Sequence, residues 1–187
     1  MKTAPAVLVA MLLTVCGLSL TAHSQPIPRP FGPPPELVVR PPGDPICDLS
    51  WMIGSWEGEE GFGASRETVR FKAWLSSSGH AIIFHVDTVH GSTVTPRYDG
   101  MYYWIPALKT YVIRQTAITG GVVEGELRLE GTKATQTETV YNPDGSRSAI
   151  RIEYTVGPDR FHVHAQFRAS ETSEWIPAQE MDYRKIA

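Results

Sequence analysis

From about residue 55 to the C-terminus, hydrophobic and polar positions alternate with a period of two. Val69, Phe71, Ala73 and Leu75 fall on one side of such a run, and Thr68, Arg70 and Lys72 on the other. That is the pattern of a strand with one face buried and one in water. Comparable runs lie near residues 55–61, 81–90, 98–105, 110–118, 122–129, 133–141, 148–156, 160–168 and 174–184, which makes ten strands in all. Ser76-Ser-Ser-Gly79, Thr119-Gly-Gly121, Asn142-Pro-Asp-Gly145 and Gly157-Pro-Asp159 are short turn signals between neighbouring runs. Short links join antiparallel neighbours, and no sustained 3.6-residue period follows residue 55 to supply the crossover helices of a parallel sheet. An antiparallel meander that closes on itself leaves no exposed edge. The expected fold is therefore all-β, a ten-stranded antiparallel up-and-down β-barrel, with a two-sheet β-sandwich as the alternative. Ahead of the first strand, Asp48-Leu-Ser-Trp-Met-Ile-Gly54 offers an Asp cap, a helical turn and a glycine stop, which predicts one short helix.

The N-terminal part follows other rules. Lys2, the apolar stretch from Ala6 to Leu20, and the small residues Ala22 and Ser24 around His23 form the order of a secretory signal, with cleavage expected after Ser24. The apolar stretch is shorter than the roughly 20 residues a membrane-spanning helix takes. The alternative is lipid attachment at Cys16, through Leu13-Thr-Val-Cys16, which would add a weak membrane association. Val15 is bulky where that signal wants a small residue. Nine prolines between Gln25 and Pro45 deny this stretch the hydrogen bonds of helix or sheet, so it reads as an extended linker. The expected organisation is a signal peptide at 1–24, a proline-rich linker at 25–47 and a barrel domain at 48–187, in an exported protein, periplasmic or secreted.

Composition narrows the function classes. The 187 residues are 42% hydrophobic and 20% charged, in the range of ordinary globular chains. A net charge of −3 lacks the basic excess that drives nucleic-acid binding. Two cysteines are too few for a disulfide scaffold or a four-thiolate zinc site. Once Cys16 leaves with the signal, Cys47 has no intrachain partner. Its neighbours Ile46 and Leu49 suggest a small buried hydrophobe.

Several short motifs, taken in order, carry a resemblance. Leu49-Ser-Trp-Met-Ile-Gly-Ser-Trp-Glu-Gly58, Tyr98-Asp-Gly-Met-Tyr-Tyr-Trp104, the Gly125 that follows Gly120-Gly121, and Met181-Asp-Tyr-Arg-Lys185 resemble a bacterial secreted, calycin-like family of unknown function. The similarity spans about residues 48–185 and implies a lipocalin-like barrel with little about chemistry. Gly54, Trp56, Gly58 and Gly61 also look like the start of nitrobindin-type barrels, which bind ferric haem through one histidine near the C-terminus. Here the corresponding strand, Glu174-Trp-Ile-Pro-Ala-Gln-Glu-Met-Asp182, has no histidine. Haem would then depend on His162 or His164 one strand earlier.

A small barrel either fills with side chains or holds one small ligand. Trp56, Phe71, Tyr98, Tyr102 and Trp104 are the candidate lining for a small, mostly apolar molecule, and Arg114 would pair with an acidic group if it points inward. His85-Val-Asp87 and His162-Val-His164 place potential metal ligands on one strand face. The apolar residues beside them, Phe84 and Val86 or Phe161, Val163 and Ala165, occupy the opposite face, so these histidines are expected to point to solvent. Glu124 and Glu126 sit opposite Val123 and Leu127 and read as a solvated outer face. No G-x-S-x-G, H-E-x-x-H or G-x-x-x-x-G-K-[ST] motif is present. The expectation is a ligand-binding barrel without cofactor and without catalysis. A haem or metal barrel, and an isomerase- or cyclase-type enzyme, are the alternatives.

Overall fold

A computed structural model describes residues 43–62 and 65–186, apart from the side chains of residues 61–66. The expected signal peptide with Cys16, and the proline-rich segment up to residue 42, lie outside the described residues. A 3₁₀ helix, Pro45–Met52, precedes ten strands: β1 (Gly54–Phe62), β2 (Ser65–Leu75), β3 (Ala81–His90), β4 (Thr93–Ile105), β5 (Thr110–Ala117), β6 (Val122–Glu130), β7 (Lys133–Tyr141), β8 (Arg147–Val156), β9 (Arg160–Arg168) and β10 (Ile176–Ile186). Each strand pairs antiparallel with its neighbours in sequence. β1 pairs with both β2 and β10, from Ser55 opposite Ile186 to Gly58 opposite Tyr183, and so closes the barrel.

The helix begins earlier than the sequence pattern suggests. Asp44, not Asp48, is the N-cap, accepting from the Ile46 amide at 3.1 Å, and Pro45 occupies the first helical position, where its missing N–H costs nothing. Asp48 instead stands in the first turn, where its carboxylate lies 2.8 Å from the Tyr111 hydroxyl; the same hydroxyl is 2.6 Å from the Pro45 carbonyl. Cys47 is half-buried, a correction to the buried position expected for it, because the helix turns Ile46 and Leu49 inward in its place.

Strand β4 also starts five residues before the expected position at 98. Pro96 breaks the donor pattern, which hides the strand in the sequence. The structure absorbs it at a β-bulge, where Val86 faces Tyr98, Asp87 faces Pro96, and Arg97 is the extra residue.

The barrel core forms two clusters. The helix plugs the end where β3, β5 and β7 begin, and its Ile46, Leu49 and Met52 pack with Ala73, Ile82, Phe84 and Tyr102. Full burial of each large apolar side chain contributes about 1.5–3 kcal/mol, so the plug is held chiefly by these three. The second cluster gathers Trp56, Val69, Phe161, Val163, Met181 and Tyr183 on the β1, β2, β9 and β10 side. Trp56, 2% exposed, ties it to the plug by donating from Nε1 to the Met52 carbonyl at 2.9 Å.

Gly125 marks the tightest strand approach. A Cβ there would lie 2.2 Å from the Thr137 carbonyl oxygen and 3.0 Å from Glu138 Cγ, and the first of these is backbone that cannot swing away. Replacing Gly125 by Ala is expected to lower stability by about 1–3 kcal/mol, the usual cost of overpacking. Urea unfolding checks it, and an unchanged midpoint contradicts the close packing of β6 on β7.

Candidate functional site

In a closed barrel, an inward side chain has little but the lumen to be exposed to. Phe71, Val86, Ile152 and Tyr154 all point inward yet are only half-buried. Three of them, Phe71, Val86 and Tyr154, touch both core clusters, so the space they border lies between the plug cluster and the Trp56 cluster. With these side chains not fully covered, the barrel interior could accommodate a small hydrophobic molecule.

Aromatic side chains line this space. Phe71, Phe84 and Tyr102 run along one wall, with ring centroids 5.7 Å and 5.2 Å apart, and Trp104 packs on Tyr111 at 4.7 Å near the plug. Trp56 meets Phe161 edge-on at 5.0 Å. Tyr98 stands nearer the open end, with the Arg97 guanidinium 5.4 Å from its ring centre, and Arg97 is itself paired with Glu60. Five of the candidate lining residues thus face the interior. Arg114 does not. Its guanidinium is 61% exposed and pairs at 2.7 Å with Glu124, its neighbour across β5 and β6, so it belongs to the outer coat.

At mid-lumen lies a polar group that no motif announced. Gln136 and Glu138 of β7 are 1% and 2% exposed. Tyr102 donates its hydroxyl to Gln136 Oε1 at 2.9 Å, Tyr154 approaches the same oxygen at 3.3 Å, and Gln136 Nε2 donates to Glu138 Oε1 at 2.6 Å. Glu138 Oε2 is buried with no hydrogen-bond partner. Burial pushes the Glu138 carboxyl up to about 7, against the Gln136 hydrogen bond, which pulls it down. Burial likewise raises the Tyr102 and Tyr154 phenols, which stay neutral at any physiological pH. The arrangement can hold a hydrogen-bonding head group, or hold and release a proton close to neutrality.

The inner face of β7 is not marked in the sequence, because in Lys133-Ala-Thr-Gln-Thr-Glu-Thr-Val-Tyr141 the positions between the threonines mix the apolar Ala134 and Val140 with the polar Gln136 and Glu138. Its inner positions include Gln136 and Glu138, and its outer ones Thr135 and Thr137. The usable signal is that mixture: a strand expected in the middle of a sheet with polar residues on both sides must carry some of them inside. Strand β5 is ambiguous for a related reason. Val112 on its outer face is as apolar as Ile113 on its inner one, so the face of Arg114 could not be read.

The histidines lie on the outside, as their apolar neighbours implied. His85 sits between Asp87 at 2.7 Å and Asp99 at 2.5 Å, and His162 between Asp182 at 3.0 Å and Glu180 at 3.5 Å. His164 shares the face of His162, opposite the buried Val163 and Ala165. No imidazole of His162 or His164 reaches the lumen, so neither fits the proximal position of a haem held inside the barrel. Among the described residues, no group of three or more His, Cys, Asp or Glu is placed to hold a metal ion. Glu124 and Glu126 pair with Arg114 and Arg128 and border an outward-opening groove of about 490 Å³ over β6 and β7.

Together the strands and core define a closed ten-stranded antiparallel barrel with a buried hydrophobic core, consistent with housing a small apolar ligand. Compared by sequence, the chain matches no family model and no curated protein. Among solved structures it is similar to Rv2717c from M. tuberculosis, with a TM-score of 0.56 and 11% identity, over 76% of this chain and 97% of that one. The likeness is one of fold.

The buried carboxyl makes stability pH-dependent. Between its ordinary value of 4.5 and about 7, the folded chain keeps a proton that the unfolded chain has released, so stability falls as pH rises through that window. The expected loss from pH 5 to pH 8 is about 2–3 kcal/mol. Urea unfolding of the native protein and of Glu138→Gln across this range isolates it, since other carboxylates cancel in the difference. A difference that is flat with pH contradicts the burial of an ionisable Glu138.

Proposed function

We propose that this is an exported barrel protein, related to the calycin-like binders, that holds one small, mostly apolar molecule in its lumen. The observation that carries the reading is the half-burial of the inward Phe71, Val86, Ile152 and Tyr154 in an otherwise closed barrel. Aromatic walls supply apolar contact, and the Tyr102–Gln136–Glu138–Tyr154 group supplies a single place for a polar end, the usual division of labour in small-molecule sites. The helical plug blocks one end, so the ligand enters from the other, past Tyr98 and the Arg97–Glu60 pair. Export is supported by the Lys2 to Ser24 segment, and the proline-rich stretch after it then spaces the barrel from whatever holds its N-terminus.

A second reading is favoured by one feature. A carboxyl poised near neutral pH beside two phenols is what general acid–base chemistry uses, and this supports an isomerase- or cyclase-type enzyme with Glu138 as its proton carrier. The two readings separate on the molecule recovered from the protein. Native mass spectrometry finds on Glu138→Gln only the compound carried by the native protein, or an empty lumen, if the barrel only binds, and a precursor absent from the native protein if it catalyses.

Nile red, a neutral apolar dye, tests the lumen itself. Its fluorescence is expected to rise on binding, and Val86→Trp, which fills the space between the two clusters, is expected to weaken binding at least ten-fold with the far-ultraviolet dichroism unchanged. Equal binding by the variant contradicts a lumenal site. For export, intact mass of the protein from a fractionated bacterial host is expected to correspond to a chain starting at Gln25 outside the cytoplasm; a cytoplasmic chain that keeps Met1 contradicts it.

A further inference from the structure

Hydrogen bonding around Glu138 restricts the chemistry of the ligand as well as its size. Tyr102 and Tyr154 give their hydroxyl protons to Gln136 Oε1, and Gln136 gives Nε2–H to Glu138 Oε1, so the run of donors ends on a carboxyl whose Oε2 receives nothing. Tyr102 comes from β4 and Tyr154 from β8, and the register neighbours Gly125 of β6 and Ile150 of β8 carry no polar side chain. Among the described residues no cation stands beside it: the bulge residue Arg97 is taken by Glu60, and Lys185 lies over the Trp56 ring at 5.4 Å.

An anionic head group would therefore meet a carboxyl and no countercharge. A neutral acceptor gains a partner only while Glu138 keeps its proton. A protonated amine supplies both missing things, an N–H donor for Oε2 and a positive charge in a site that water does not reach. Resting on the lumenal-binding reading above, we propose that the ligand is an apolar molecule bearing a basic amine, whose ammonium displaces the side chains closing over Glu138 Oε2 and donates an N–H to it while its apolar body lies along Phe71, Val86 and Ile152. Binding then favours the ionised carboxyl and releases its proton. The free carboxyl titrates near neutrality, so affinity for the amine climbs as pH rises through about 7.

Three probes with one alkyl chain test this: dodecylamine, dodecanol and dodecanoic acid, each displacing Nile red from the purified protein at pH 6 and pH 8. Dodecylamine is expected to compete at least ten-fold better than either of the others at pH 8, and to lose several-fold at pH 6. In Glu138→Gln the preference for the amine and its pH dependence are expected to vanish while dodecanol binding persists. If all three probes compete alike, or the acid competes best, and Val86→Trp still blocks them, the amine proposal fails and lumenal binding stands. If no probe competes and Val86→Trp changes nothing, both fail. Should Glu138→Gln not fold, the ranking of probes and the pH response of the native protein decide alone, a pH-independent or acid-first ranking overturning the proposal.

Discussion

Pairing of β1 with β10 is the constraint on which the rest depends. An antiparallel meander of ten strands becomes a barrel only when its first strand finds its last, and that pairing, Ser55 to Gly58 against Ile186 to Tyr183, turns two sheet faces into an inside and an outside. Every later property follows from which side a residue takes. Phe161, Val163 and Ala165 take the inside, and this sends His162 and His164 to the outer face, where His162 stands between Glu180 and Asp182. Ile113 goes in and Arg114 goes out.

Closure alone would leave a tube. The short helix makes it a container by driving Ile46, Leu49 and Met52 into one end, and Trp56 and Tyr111 hydrogen-bond that helix to β1 and β5. With one end sealed, polar atoms inside must be satisfied by one another or by a guest. Tyr102, Tyr154 and Gln136 satisfy one another. Glu138 is left with one free oxygen in a setting where an unpaired charge is costly, and burial raises its proton affinity with no cation beside it among the described residues. On the proposal made above, the same deficit sets the selectivity of the lumen for a basic amine.

Much of the fold was legible in the sequence, because half-buried strands advertise themselves by period and turns by glycine and proline. All ten strands appear, and β3, β7 and β9 keep their expected limits. The start of β4 was hidden by Pro96, since a proline within a strand is tolerated only where a bulge removes the need for its N–H. The prolines before Asp48 have the composition of a linker and so mask the start of the helix, although Pro45 is well suited to a first helical position. The site was less legible. Trp56, Phe71 and Tyr98 could be placed inside by alternation with polar neighbours, whereas Tyr102 and Trp104 stand among Met101, Tyr103 and Ile105 on a strand apolar on both sides, and Gln136 and Glu138 alternate only with threonines. Their inward direction comes from the register of β7 between β6 and β8, which a single strand does not reveal.

The central claim is that Glu138 lies inside the lumen as an unpaired, titratable carboxyl, and its own titration tests that most directly. With the glutamate side-chain carboxyls labelled with carbon-13, the resonance absent from Glu138→Gln is expected to titrate near pH 7 in the free protein, and at lower pH once dodecylamine is bound. Titration near 4.5, as for a carboxylate in water, would contradict the account.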